Sequence, residues 1–296
     1  MSDLAAPIVV GVNGSTVALR AALWAGALAV RLDAPLHIVT AMPYLGHNPS
    51  GTAAAMRAAA IAEHREGAEM ILKATEEAVR ADCPALEVTY ASAAEPADEA
   101  LTALSRMARF LVLGCDDVTA TGALLVGSTT LTTLAHASCP IVAWRGHSTA
   151  LTGQPVVVGV DGSGSDGGAL RTAFELADRF DVPLRVIHSW VVKGPAAMIN
   201  ARSTTAGDPS VHAEWQHLNA LVDRWRERHP RVNVTLVGEG ITAGRALGMH
   251  VKDAQLVVVG SRRRNALARR IFGSTSLRLL HHSEVPVVLC PLGERG

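Results

Sequence analysis

The chain has 296 residues, 49% of them hydrophobic and 18% charged, enough apolar residues to build a core and too many to stay disordered. Its 27 Lys and Arg balance 27 Asp and Glu, and aromatic residues make up 4%, which argues against a whole-chain nucleic-acid binder or a base-stacking surface. The longest apolar stretch, Ala21–Val30, stops at Arg31 and is far too short for a bilayer span, so no membrane partner is expected.

Met1-Ser2-Asp3-Leu4 has no basic stretch ahead of a long apolar run, so no secretory leader is expected. The first predicted strand, Ile8-Val-Val-Gly-Val-Asn-Gly-Ser15, returns as Val156-Val-Val-Gly-Val-Asp-Gly-Ser163, and Pro35-Leu36 returns as Pro183-Leu184, both 148 residues on. Leu111-Val-Leu-Gly114 returns as Val257-Val-Val-Gly260, Gly127-Ser128-Thr129 as Gly273-Ser274-Thr275, and Cys139-Pro-Ile-Val142 as Val285-Pro-Val-Val288, each 146 residues on. Landmarks in one order at a near-constant offset mean a duplicated domain rather than a solenoid repeat. The expected boundaries are domain 1 over 1–146, a polar linker over 147–154 and domain 2 over 155–296. The neutral total hides a split: residues 1–148 carry a net −5 and residues 149–296 a net +5.

In the second copy, strands are predicted at Pro155–Val160, Pro183–Ser189, Val232–Val237, Gln255–Gly260 and Pro286–Leu289. Helices are predicted near 165–180, 210–229, 241–252 and 274–283. VVVGV and LVVVG are apolar without alternation, which suits strands covered on both faces. Alternating strands and helices give an α/β chain of two tandem, doubly wound, five-stranded parallel-sheet domains. Such sheets bind ligands beyond the carboxyl ends of the strands where strand order reverses, here the first and fourth strands of each copy. Those strands run into Gly159-Val160-Asp161 and Gly260, and Gly273-Ser274-Thr275 then opens a helix whose free N–H groups and dipole suit phosphate. The plainer alternative is a helix cap at Ser274 and a tight turn at Gly260.

On these residues the chain resembles the tandem universal stress proteins common in actinobacteria. Nucleotide-binding members of that family carry G-x2-G-x9-G-[ST] after the fourth strand and an Asp after the first. Here the second copy reads Gly260-x2-Arg263-x9-Gly273-Ser274 with Asp161, and the first reads Gly114-x2-Asp117-x9-Gly127-Ser128 with Asn13. The outer glycines and spacing hold in both copies, while Arg263 and Asp117 replace the middle glycine. The resemblance implies that Asp161 contacts adenosine and that the loop and Gly273-Ser274 cradle phosphates. The expected contacts are Gly159, Asp161, Gly260, Ser261, Arg262, Arg263, Gly273, Ser274 and Thr275 in the second copy. Their counterparts are Gly11, Asn13, Gly114, Gly127, Ser128 and Thr129 in the first. The second copy is expected to be the stronger site, because Arg263 and its neighbours attract phosphate where Asp116 and Asp117 repel it.

Other motifs have plainer explanations. Gly162-x-Gly164-x-x-Gly167 follows a strand, but the next strand ends His188-Ser189-Trp190 without the acid that a dinucleotide site uses. No lysine follows a glycine, so there is no Walker A loop. His212 and His217 are five apart and do not share a helix face as metal ligands would, and His281-His282 suits a helix C-terminus. Cys83, Cys115, Cys139 and Cys290 stand apart, as reduced thiols of a cytoplasmic protein do. Asp116 and Asp117 would raise the pKa of Cys115, against a thiol sensor there. No catalytic residue and no protein-bound metal are expected. The leading expectation is a non-catalytic regulator that binds ATP, with or without Mg²⁺, forms a homodimer and acts on a regulatory protein partner. The alternatives are a duplicated scaffold that has lost nucleotide binding and a nucleotide-hydrolysing enzyme.

Overall fold

The computed structural model describes residues 6–42, 51–115, 128–146, 148–162, 166–190, 209–260 and 273–291. The chain divides into two compact units, Met1–Leu151 and Thr152–Gly296, called domains 1 and 2 below. The Thr152 N–H donates to Oε1 of Gln255 at 3.3 Å, and Nε2 of Gln255 donates to the Gln154 carbonyl at 2.7 Å. These bonds fasten the polar segment before the first strand of domain 2 to that domain.

Domain 1 runs β1 (Ile8–Gly11), α1 (Thr16–Leu32), β2 (Leu36–Met42), α2 (Gly51–Asp82), β3 (Val88–Pro96), α3 (Ala97–Leu104), β4 (Phe110–Gly114), α4 (Ser128–His136) and β5 (Ile141–Trp144). Its strands are parallel in the order β3-β2-β1-β4-β5. Domain 2 runs β6 (Val156–Val160), α5 (Gly167–Phe180), β7 (Leu184–Ser189), α6 (Pro209–Arg228), β8 (Val234–Glu239), α7 (Ala243–His250), β9 (Leu256–Gly260), α8 (Ser274–His282) and β10 (Val287–Cys290). Its order is β8-β7-β6-β9-β10, again parallel. Both sheets are doubly wound, and their order reverses between β1 and β4 and between β6 and β9.

The central strands are buried because no face of them meets water. Val156, Val157 and Val158 of β6 and Leu256, Val257 and Val258 of β9 are fully covered, as their uninterrupted apolar runs require. The helices bury one stripe each, with Leu170, Ala173, Phe174 and Ala177 of α5 inside. Ser15 caps α1 by accepting from the Ala18 N–H at 3.2 Å, which satisfies a first-turn donor.

Two predicted boundaries shift for local reasons. The third strand of domain 2 starts at Val234 rather than Val232, because the Val232 N–H closes a turn onto the His229 carbonyl at 3.1 Å. The next helix begins after Thr242, whose carbonyl accepts from Arg245 and Ala246 at 2.9 Å each. It gives way to a 3-10 turn at Val251–Asp253.

Candidate functional site

The carboxyl ends of β6 and β9 open into a crevice of about 500 Å³, within the size range of small-ligand sites. Val160, Ile187, Leu247 and Val259 supply its apolar surface. Gly159 lets α7 approach, since a Cβ there would stand 2.7 Å from Cδ1 of Leu247. The Ser189 hydroxyl donates to the Ile241 carbonyl, tying the end of β7 to the segment that starts α7.

Part of the crevice lining is acidic. Asp161 follows β6, and Gly162 after it has φ +73°, a left-handed conformation that glycine adopts without strain. The turn brings the N–H groups of Asp161 and Gly162 onto Oδ2 of Asp166 at 3.0 and 2.9 Å. Asp166 is 7% exposed. Burial, and then the charge of Asp161, push its carboxyl up to about 6, against the pull of the two N–H donors. Asp161 and Asp166 both line the crevice.

Helix starts build another part of the lining. Thr242, Ala243 and Gly244 come from the beginning of α7, and Gly273, Ser274, Thr275 and Ser276 from the beginning of α8. No side chain caps either helix. First-turn amides and two positive dipole ends therefore border the same space as the three hydroxyl side chains of α8. Arg278 lines the crevice one turn further along α8.

His188 is 2% exposed and pairs in register with Val160. Its Nδ1 lies 3.1 Å from the Val160 carbonyl and its Nε2 3.1 Å from Oε1 of Glu214 on α6. A carbonyl only accepts, so Nδ1 is the donor to Val160, and Nε2 faces Glu214. This pair links α6 to the strand that carries Asp161.

The structure gathers Gly159, Asp161, Gly260, Gly273, Ser274 and Thr275 around one crevice. Ser261, Arg262, Arg263 and Gly127 lie outside the described residues, as do Asp116 and Asp117; Ser128 and Thr129 begin α4. In domain 1 the corresponding strand ends are packed. A Cβ on Gly114 would lie 2.9 Å from the Val17 carbonyl oxygen and 3.0 Å from Val17 Cγ1, and one on Gly11 would meet Leu113 at 2.8 Å. Asn13 turns its Oδ1 back to accept from the Ser15 N–H at 3.1 Å, while Ile71 reaches to 3.0 Å from the Cβ position of Gly14.

Sequence reasoning missed Asp166, Ser189, Thr242, Gly244 and Arg278. Asp166 and Thr242 had a usable signal, as each immediately precedes a helix and is a residue type favoured there. Among the described residues no group of three or more His, Cys, Asp or Glu is placed to hold a metal. His212 and His217 are exposed. The four cysteines are free, and no described helix is long and apolar enough to cross a membrane.

Residues 6–145 and 153–291 each match the Universal stress protein family. A universal stress protein of Mycolicibacterium smegmatis is 29% identical over 95% of this chain and 96% of its own length. One of Mycobacterium tuberculosis is 30% identical over the same shares. A crystal structure of a universal stress protein from Archaeoglobus fulgidus superposes with a TM-score of 0.73 at 18% identity, covering 97% of this chain and 98% of that one. The chain belongs to the universal stress protein family, with two family domains in tandem.

Proposed function

We propose that domain 2 binds an adenine nucleotide, ATP with or without Mg²⁺, and that the chain is a non-catalytic regulator whose occupancy changes how it engages a protein partner or a second copy of itself. One observation carries the reading: a crevice at the strand-order reversal lined by two carboxylates and by two uncapped helix starts. Carboxylates suit ribose hydroxyls as acceptors, and helix N-termini with serine and threonine hydroxyls suit phosphates. Asp161 takes the nucleoside end, and Gly273, Ser274 and Thr275 the phosphate end.

The second reading, a duplicated scaffold without nucleotide, draws support from domain 1. There Val17 is packed on Gly114 and Asn13 is turned back onto Ser15, and Asp117 and Arg263 stand where the binding motif of the family has glycine. One experiment separates the two. Protein purified in mild buffer is acid-precipitated, and the supernatant is chromatographed for released nucleotide. Calorimetric titration with ATP follows, with and without Mg²⁺, on wild type, Asp161→Ala and Gly273→Val. Released adenine nucleotide, or ATP affinity lost in both variants at unchanged melting temperature, supports the first reading. Protein that emerges empty and gives no heat with millimolar ATP establishes the scaffold. ADP production that tracks the protein through purification would instead make it an enzyme.

A further inference from the structure

Resting on that reading of the crevice, we propose that Arg278 grips the anionic end of the bound nucleotide and that Gly244 is the positioning residue that makes room for it. Arg278 is the one arginine among the described residues lining the crevice. It stands on α8 four residues beyond Ser274, just past the first-turn amides that suit phosphate. Its stem crosses α7 at Gly244, which is buried. A Cβ built on Gly244 would stand 2.8 Å from Cδ of Arg278 and 3.6 Å from its Cβ. The missing side chain is thus a notch in which the arginine stem lies, while the residue as a whole stays exposed. Among the described residues the guanidinium has no carboxylate or carbonyl partner to compete with a ligand.

The crevice then has a direction. On this proposal Asp161 and Asp166, which line the crevice, repel the anionic end of the ligand, and Arg278 with the α8 start attracts it. A ligand with a hydroxylated neutral end and a phosphorylated end fits one way round. Domain 1 lacks both parts of the device. By the 146-residue offset, Thr132 stands in place of Arg278 and Asp98 in place of Gly244, so the cation is gone and a carboxylate occupies the notch position. The ligand class is therefore a nucleoside 5′-phosphate held by domain 2 with affinity that rises with phosphate charge.

The test uses the full chain and titrates ATP, ADP, AMP and adenosine into wild type, Arg278→Ala, Arg278→Lys and Gly244→Ala. A charge-assisted contact to phosphate predicts that Arg278→Ala weakens ATP about tenfold and leaves adenosine unchanged. Arg278→Lys recovers part of the loss, since it keeps the charge without the planar fork. Gly244→Ala folds normally, because the atom it meets belongs to a flexible side chain, and weakens ATP but not adenosine. Combined with Arg278→Ala it adds nothing further, because both changes act on one contact. Equal losses for ATP and adenosine would mark Arg278 as structural and overturn the proposal, as would undiminished ATP binding by Arg278→Ala. If wild type binds neither ATP nor adenosine, the nucleotide reading fails and Arg278 with it. If wild type binds ATP and the variants match it, only the role of Arg278 fails.

Discussion

Asp166→Asn is the sharpest test of the electrostatics of the acidic lining. The carboxyl of Asp166 is buried, accepts the N–H groups of Asp161 and Gly162, and is pushed from an ordinary 3.8 to about 6 by burial and then by Asp161. Between about pH 4 and pH 6 the folded protein keeps a proton that the unfolded chain has released. Stability therefore falls as pH rises through that window, is highest below it and levels off above it. A shift of about two units corresponds to roughly 3 kcal/mol, an upper bound because Asp161 shares the titration. Asparagine presents a neutral oxygen to the same two N–H groups and cannot ionise. The variant should match wild type near pH 4 and exceed it by about 1–3 kcal/mol at pH 7.5. Urea unfolding read by tryptophan fluorescence at stepped pH measures this, with Trp190, Trp215 and Trp225 in domain 2 and Trp24 and Trp144 in domain 1. Parallel stability curves for wild type and variant from pH 4 to 7.5 would refute the reasoning.

Gly238→Ala places a Cβ 2.1 Å from the edge of the Trp190 ring and 2.8 Å from Trp215; displacing the ring should cost about 1–3 kcal/mol and red-shift the emission, which equilibrium unfolding and fluorescence spectra will show. His188→Leu removes the side-chain link from the Val160 carbonyl to Glu214 and should lower domain 2 stability by about 1 kcal/mol in a denaturant titration. Burial pushes the Cys139 and Cys290 thiols up to about 12, so a thiol-specific dye should reach them only after unfolding, whereas the partly exposed Cys83 should label first; prompt native labelling of Cys290 would contradict this. Gly114→Val drives side-chain atoms into the Val17 backbone and should destabilise domain 1 by about 1–3 kcal/mol while leaving ATP binding in domain 2 unchanged by calorimetry.

The duplication, the strand and helix order and the doubly wound architecture were legible in the residues. Runs such as VVVGV and LVVVG suit strands covered on both faces, and the landmarks recur at 146 and 148 residues. Gly159, Gly260, Gly273, Ser274 and Thr275, which border the crevice, also stood out in the sequence, because backbone approach and helix starts demand particular residue types at short spacing. The rest depended on tertiary structure. Asp166 lies five residues from Asp161, yet what marks it is burial and two backbone donors, neither written in local sequence. Gly244 and Arg278 stand 34 positions apart with no local pattern joining them; only the packing of α7 on α8 lays the arginine stem across the glycine. The contrast between the domains also runs through distant pairs, Val17 with Gly114 and Ile71 with Gly14. Local propensity and spacing specify elements, because their physics acts over a few residues. A crevice is the space left between packed elements, so its charge, room and direction are decided by contacts between residues far apart in the chain.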